Sequence, residues 1–392
     1  MKRLSLLIAL TLCAAVNSAR AVAPGPEWKL LLTMGDQLFP SYVVATATMP
    51  AGNTAEQNPY FLGDRRGLWG ISLANPAANT RIRLEVRIDQ LYAAGTYNGV
   101  LPEHHKIYEV FPKIQYRYDL LVKNRQLIPA NVVFKLYLND KYIGQGVKTI
   151  QVHSINDCPG FYTDTRSQTH NITWMFAAYV NEDHPWIDQL LREALNTKVV
   201  NSFGGYQRPP AEVYKQVFAV WDAFQRKGFR YSSIIVTPTT GTQIRVVSQT
   251  VRFLDQAVTT SQANCVDGSV LFASVLRKIG IDPFLIEIPH HMFLGFYLDK
   301  QHRQPSYLET TMMGLTDLSQ YPEEDAVART VSSNLGQATK NQASYKAFIK
   351  AVQVGTDKFK KNKESIEKHE NPRSQIIDIA QARKMGVLPI AR

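Results

Sequence analysis

The chain has 392 residues, and its 44 lysines and arginines against 33 aspartates and glutamates give a net charge of +11. This length exceeds what one hydrophobic core usually holds, so the sequence predicts two domains. Three cysteines are too few for a disulfide-stapled scaffold. Twelve basic residues against five acidic ones lie in residues 340–392, so much of the excess charge is local. Because no nucleic-acid recognition motif accompanies it, we expect no nucleic-acid partner and favour an anionic envelope surface.

The N-terminus has the pattern of a cleavable secretory signal peptide. Two basic residues precede the apolar run of residues 4–16, and Ala19 and Ala21 follow in the spacing of a cleavage site. We expect residues 1–21 to be removed and the mature protein to be secreted or periplasmic. No later apolar run is long enough to cross a bilayer, so a transmembrane protein is not expected.

Residues 24–157 are predicted to form an immunoglobulin-like β-sandwich domain. Turn residues there separate the β-prone runs SYVVATATM, GISLANPAANTRIRLEVRI, PANVVFKLYLND and GVKTIQVHSI. In residues 81–88, apolar and charged side chains alternate, which is the period of a strand with one buried face. The segment LNDKYIG is predicted to be a hairpin connection. Short strands at this spacing are typical of a sandwich, although composition alone leaves the topology open.

Helical patterns replace the strands in residues 163–330, the predicted second domain. Apolar residues recur at helical spacing in HPWIDQLLREAL and in PPAEVYKQVFAVWDAFQRKG. The remaining residues, 335–392, are predicted to form a basic helical C-terminal tail. Within it, DKFKKNKESIEKHENPRS is charged on most faces and predicts a solvated helix or a loose linker, whereas IIDIAQARKMGVLPI predicts a docking segment.

A single cysteine stands at the predicted start of a helix in QANCVDGSVLFASVLRKIGI. Asn264 is a good N-cap, Cys265 is the first helical residue, and Asp267 lies in the first turn, where negative charge suits the helix dipole. The backbone N–H groups of a helix N-terminus favour a thiolate over a thiol and can receive an oxyanion. Cys265 is therefore a candidate nucleophile, provided that a base lies nearby.

A candidate base and a third group follow downstream. HMFLGFYL and SYLETT are predicted to be two strands of a hairpin centred near Gln301. In that register His291 lies opposite the region of Thr311, and Glu309 is a diagonal neighbour on the same face. A carboxylate there can orient the imidazole and stabilise the imidazolium. The sequence thus predicts a Cys265–His291–Glu309 triad.

These segments resemble the transglutaminase-like superfamily in its bacterial secreted branch, a relative of the papain-like cysteine hydrolases. The resemblance covers about residues 240–320, through NCVDGSVLFASVLRKIGIDP, PHHMFLGFYL and YLETTMMG. It implies an α+β catalytic domain of papain-like fold and cysteine-dependent acyl transfer to water or to an amine. Cys265 then takes the nucleophile position, His291 the base position and Glu309 the third position. The family usually has Asp at the third position, so Glu309 is a departure.

Alternatives stay open for each candidate residue. Cys265 can instead be a buried structural thiol or pair with Cys158. His290 competes with His291, and the argument against it is that neighbouring strand residues point to opposite faces. Glu309 can be a solvated carboxylate at a sheet edge. Gln262 is a further candidate, as an amide donor to the oxyanion.

Three functions from different classes remain at this point. The first is a cysteine peptidase, amidase or cross-linking enzyme that acts on a protein, peptide or amide substrate. The second is a catalytically inactive transglutaminase-like binding module for envelope assembly, and the third is a structural protein with a Cys158–Cys265 disulfide. We expect no cofactor and no metal site, since the adjacent His104 and His105 lack the spacing of a metal-binding pair.

Overall fold

Helices and mostly antiparallel sheets both contribute to this α+β fold. The computed structural model describes residues 26–50, 58–164, 167–232 and 246–390. The predicted signal peptide lies outside the described residues. The first nine strands are β1 (Trp28–Leu32), β2 (Gln37–Leu38), β3 (Phe61–Gly63), β4 (Trp69–Ala74), β5 (Thr80–Ile88), β6 (Ala93–Leu101), β7 (Ile107–Phe111), β8 (Ile128–Leu138) and β9 (Lys141–Val152).

These nine strands form two sheets, in the orders β1-β4-β7-β3 and β2-β9-β8-β5-β6. The alternation predicted for residues 81–88 is confirmed, because the four apolar side chains of β5 are buried and its charged side chains are not. The hairpin predicted at LNDKYIG is also confirmed. It joins β8 to β9 through Asn139 and Asp140, whose φ angles of 47° and 66° suit a tight hairpin turn.

The prediction of a β-prone run at SYVVATATM is wrong. Helix α1 (Pro40–Ala45) occupies its first part, and a second short helix, α2 (Tyr118–Leu121), lies between β7 and β8. Pro40 sits at the first helical position, where its fixed φ and missing N–H are tolerated. Val43 and Ala45 are buried, and α1 packs on β10 (Asp157–Thr163). Tertiary burial thus overrides the β preference of the two valines.

Strand β10 joins the two halves of the chain. It pairs with β11 (Thr169–Asn171) and with β13 (Val246–Thr250), both of which belong to the second half. The predicted domains end at residue 157 and begin at residue 163, so they leave β10 between them. The domain boundaries themselves stay a prediction.

The second half packs helices against another antiparallel sheet. Its order is β17-β16-β15-β18. The strands are β12 (Arg230–Tyr231), β14 (Gln262–Ala263), which pairs with β12, and then β15 (Pro283–Ile288), β16 (His291–Tyr297), β17 (Pro305–Leu308) and β18 (Gln375–Asp378). The helices are α3 (Pro185–Asn196), α4 (Pro210–Arg226), α5 (Leu254–Thr260), α6 (Cys265–Lys278), α7 (Ala326–Leu335), α8 (Tyr345–Glu367) and α9 (Ile379–Lys384).

The C-terminal segment is packed into the fold. Helix α8 buries one face before the segment DKFKKNKESIEKHENPRS, including Phe348, Val352 and Gly355. Of the two alternatives for that segment, the helix is confirmed as far as Glu367, and most of its side chains there are exposed or half-buried. The docking segment is confirmed: β18 pairs with β15, and the N–H of Leu388 donates to the carbonyl of Ala45 at 2.8 Å.

None of the helices in the described segments has both the length and the apolar character that a membrane span requires. Among the same residues, no three histidine, cysteine, aspartate or glutamate side chains form a metal-ligand cluster.

Candidate active site

Cys265 is the first residue of α6, as the sequence predicts. The side chain of Asn264 accepts a hydrogen bond from the N–H of Asp267 at 2.9 Å, and the Asp267 carboxylate accepts from the N–H of Asn264 at 3.1 Å. This reciprocal pair is a capping box. The cap sets the first turn of α6 and therefore the position of the thiol.

Asp267 also ties this turn to the preceding loop. Its carboxylate accepts hydrogen bonds from the N–H of Arg252 at 2.7 Å and from the Arg252 guanidinium at 2.9 Å. Burial raises the pKa of Asp267, while these hydrogen bonds and the Arg252 charge act against that rise. A buried carboxyl with this many donors fixes the start of α6 against the preceding loop.

His291 is the first residue of β16, directly after a two-residue turn. Ile288 of β15 pairs with His291, so Pro289 and His290 form the connection. His290 has a φ of 63° and lies exposed in this turn. The prediction that His290 and His291 point to opposite faces of a strand is therefore wrong, because His290 lies in the turn and only His291 lies in the strand.

The register predicted for β16 and β17 is confirmed. Leu294 pairs with Leu308 and Tyr297 with Pro305, which centres the hairpin on Gln301. The second strand ends earlier than predicted, at Leu308. Glu309 then caps a short 3-10 helix at Thr310–Met312, and this turn directs its buried carboxylate toward His291.

Glu309 has hydrogen-bond donors on both carboxylate oxygens. Oε1 accepts from the N–H of Thr311 at 3.1 Å and from its hydroxyl at 2.7 Å. Oε2 lies 2.7 Å from Nε2 of His291 and 2.6 Å from Nζ of Lys358. Burial acts to raise the pKa of Glu309, but the hydrogen bonds and charges of His291 and Lys358 lower it from 4.5 to about 2. Glu309 is thus a carboxylate at neutral pH and not a solvated edge residue.

The imidazole of His291 is hydrogen-bonded to both Cys265 and Glu309. Nε2 is the ring nitrogen that contacts Glu309 and Lys358. Burial acts to lower the pKa of His291, but these two hydrogen bonds and the Glu309 charge raise it from 6.5 to about 9, against the nearby Lys358 charge. An imidazolium that persists to this pH suits an ion pair with a thiolate.

Lys358 is a residue of the site that the sequence analysis missed. Its ammonium lies 3.0 Å from Nε2 of His291 and contacts the same Glu309 oxygen. It comes from α8, 49 residues beyond Glu309 in the chain. Helix α8 is rich in charged residues, but it also has an apolar stripe at helical spacing that packs against the sheet. The stripe consists of Phe348, Val352, Gly355 and Phe359.

Two backbone contacts hold α8 close to Glu309. The N–H of Glu309 donates to the carbonyl of Ala351 at 3.0 Å. One turn further on, a Cβ added to Gly355 would lie 2.8 Å from the N of Leu308 and 3.1 Å from the N of Glu309. Only a glycine allows this approach, and it brings Lys358 within reach of the carboxylate.

The remaining candidates are placed as follows. Cys158 and Cys265 are both free and buried, so the Cys158–Cys265 disulfide is not present. Gln262 lies in β14 with its side chain exposed, and within the described residues it makes no hydrogen bond to Cys265. Tyr231 lies on the neighbouring strand β12. Partial burial and the charges of Cys265 and Glu309 raise the pKa of Tyr231.

No family model, no curated protein and no solved structure matches the chain. The superfamily resemblance therefore stays a prediction from the sequence, and the argument for function depends on the geometry around Cys265.

Proposed function

We propose that this protein is an exported cysteine-dependent enzyme that transfers an acyl group from an amide, with Cys265 as nucleophile, His291 as base and Glu309 as its orienting carboxylate. The observation that carries the proposal is the placement of His291, which lines one cavity together with Cys265 and whose Nε2 lies 2.7 Å from the Glu309 carboxylate. Nucleophile, base and orienting group are the three parts that such catalysis requires.

In the proposed reaction the thiolate of Cys265 attacks the amide carbon and forms a C–S bond. The C–N bond breaks as His291 gives its proton to the leaving amine, which leaves a thioester. Water or a second amine then attacks the thioester, His291 takes the proton, and Cys265 departs as a thiolate. In the first turn of α6 the N–H groups of Asp267 and Gly268 donate to Asn264. The donors that we assign to the oxyanion are therefore the N–H groups of Cys265 and Val266.

The finer fold assignment belongs to the same proposal: an immunoglobulin-like sandwich followed by a transglutaminase-like domain of papain-like fold. Its support is that the first two sheets approach face to face, since a Cβ at Gly146 of β9 would lie 2.9 Å from Leu30 of β1. In the second half, α6 packs against β15 and β16, which carries the nucleophile to the strand that begins with His291.

We further propose that the protein is exported and acts on a protein, peptide or other amide near an anionic envelope surface. The basic residues of α8 support the second point. Lys360, Lys361 and Lys363 are exposed, as is Lys368 directly after the helix, whereas Lys358 is turned inward to Glu309. Clustered surface lysines attract anionic surfaces at low ionic strength.

The test is labelling of the folded protein with iodoacetamide at pH 6, with the adducts located by tandem mass spectrometry. We expect fast alkylation of Cys265. Cys158 is a control in the same molecule, because burial raises the pKa of its thiol well above the usual range and it should stay unlabelled. A Cys265 as slow as Cys158 would contradict the proposal and favour the inactive binding module.

A further inference from the structure

A cavity of about 300 Å³ opens beside the catalytic trio. Cys265 and His291 line it together with Glu287 and Arg373, and most of its other walls are apolar, such as Phe161, Phe176 and Met292. Its size suits a small group and not a folded partner. A larger cavity, of about 560 Å³, lies elsewhere, between the first sheet and β10, and contains none of the three catalytic residues.

Glu287 contributes a carboxyl group to this cavity, and no cation in the described part of the chain forms an ion pair with it. Its Oε2 accepts a hydrogen bond from Nε2 of Gln375 at 2.8 Å, and the Gln375 amide is itself held by Asn171 at 2.9 Å. Burial raises the pKa of Glu287 to about 7, while the Gln375 hydrogen bond and the charge of Arg373 act the other way. The carboxyl is thus held in position and is influenced by the Arg373 charge, but it forms no ion pair within the described residues.

Arg373 contributes the opposite charge. Its backbone N–H donates to the side chain of Asn371 at 2.9 Å, which fixes the turn that leads into β18. Its guanidinium is half-buried and, within the described ranges, makes no hydrogen bond or ion pair, including none with Glu287. An unpaired guanidinium with five donors beside a catalytic cavity is suited to a carboxylate.

The two charges restrict what can occupy the cavity. A purely anionic group would be repelled by Glu287, and a purely cationic group would be repelled by Arg373. An apolar group would leave both half-buried side chains without a partner. A group that carries an ammonium and a carboxylate together satisfies both side chains.

We propose that this cavity is the substrate subsite for a free amino-acid end that flanks the scissile amide, with Arg373 binding its carboxylate and Glu287 its ammonium. The inference rests on the proposed function of Cys265 and adds a substrate class to it. The expected substrates are amides that carry a free ammonium and a free carboxylate next to the scissile bond. An example is an amide whose nitrogen is the side-chain amine of a diamino acid.

The test uses four chloroacetamides of equal reactivity and similar length, made from the side-chain amine of ornithine, 5-aminopentanoate, 1,4-diaminobutane and pentylamine. Their free ends are zwitterionic, anionic, cationic and neutral. We measure the second-order rate constant of Cys265 alkylation for each probe on the whole protein at pH 8, where Glu287, with a pKa of about 7, is a carboxylate. The zwitterionic probe should react about tenfold faster than the neutral one, because one charge-assisted hydrogen bond is enough for that factor.

Two variants and a control assign the effect to the cavity. Arg373→Gln and Glu287→Gln should each reduce the ratio of zwitterionic to neutral rates to within about threefold of one. Arg303→Gln should leave the ratio unchanged, since Arg303 is exposed, pairs with Asp299 and does not line the cavity.

Equal rates for the four probes, or a preference that both variants retain, would overturn the subsite. If the neutral probe nevertheless alkylates Cys265 fast at pH 6, only the subsite is refuted and the proposed function of Cys265 stands. Slow alkylation by the neutral probe would count against the proposed function itself.

Discussion

Replacing Glu309 by glutamine tests the electrostatic core of the site, because it removes one charge and keeps the shape. The amide oxygen of a glutamine can accept from Thr311 or face His291 and Lys358, but it cannot do both. In either orientation the NH2 group meets another donor. The variant therefore loses charge-assisted hydrogen bonds and leaves a buried donor without a partner.

The size of the effect on stability follows from the pKa of Glu309. Its fall from 4.5 to about 2 on folding corresponds to about 3 kcal/mol of native-state stabilisation at neutral pH. Since the folded pKa is the lower one, this contribution is full above pH 4.5 and is lost as the pH falls toward 2. Urea denaturation of wild type and Glu309→Gln should differ by about 3 kcal/mol in the free energy of unfolding at pH 7, and by less at pH 3.

Glu309→Gln should change the reactivity of the Cys265 thiol less than it changes the free energy of unfolding. Glu309 acts on Cys265 only indirectly, because it stabilises the imidazolium of His291. A thiol of ordinary pKa is only ~0.3% ionised at pH 6, so complete loss of the ion pair slows alkylation by at most ~300-fold. We expect Glu309→Gln to slow iodoacetamide at pH 6 by about ten- to a hundredfold. The amide turnover, once a substrate is found, should fall by about ten- to a thousandfold.

Glu309→Asp is the matched control, since it restores the charge with a shorter reach and should lie between wild type and Glu309→Gln. A Glu309→Gln protein with wild-type stability and a wild-type alkylation rate would refute the reasoning, because the carboxylate would then contribute neither to the fold nor to the thiol.

Three further predictions concern the contribution of α8 and of His291. The pH profile of amide turnover should fall on its alkaline side near pH 9, where the imidazolium of His291 is lost; a profile flat to pH 10.5 would contradict its role as proton donor. Lys358→Met should move this alkaline limb to higher pH, because the Lys358 charge lowers the pKa of His291, and Lys363→Met on the exposed side of α8 should not move it. Gly355→Ala should cost about 1–3 kcal/mol in urea denaturation and slow alkylation of Cys265, since the added Cβ would push α8 away from the backbone of Leu308; unchanged values in both assays would exclude the close approach.

The parts of the site that the sequence predicts correctly depend on local patterns. A polar N-cap, an acidic first turn and an apolar stripe are enough to locate the start of α6. The hairpin of β16 and β17 follows from two alternating runs around a polar loop, and its centre at Gln301 brings the end of β17, with Glu309 directly after it, to the start of β16. Both inferences need only neighbours in the chain.

The parts that the sequence does not predict depend on contacts over long separations. Lys358 reaches Glu309 because Gly355 lets α8 approach β17, and the charge pattern of the helix alone gives no sign of this. The valines after Pro40 favour a strand by propensity, yet the burial of Val43 and the packing of α1 on β10 favour a helix. Arg373 comes to the cavity only because β18 pairs with β15.

The central claim is that His291 holds Cys265 as a reactive thiolate. The most direct measurement is the rate of Cys265 alkylation by iodoacetamide at pH 6 in wild type, His291→Ala and His290→Ala, with the adduct located by mass spectrometry. The account predicts fast labelling in wild type, a loss that approaches ~300-fold in His291→Ala and little change in His290→Ala. Equal rates in wild type and His291→Ala, or a loss confined to His290→Ala, would contradict it.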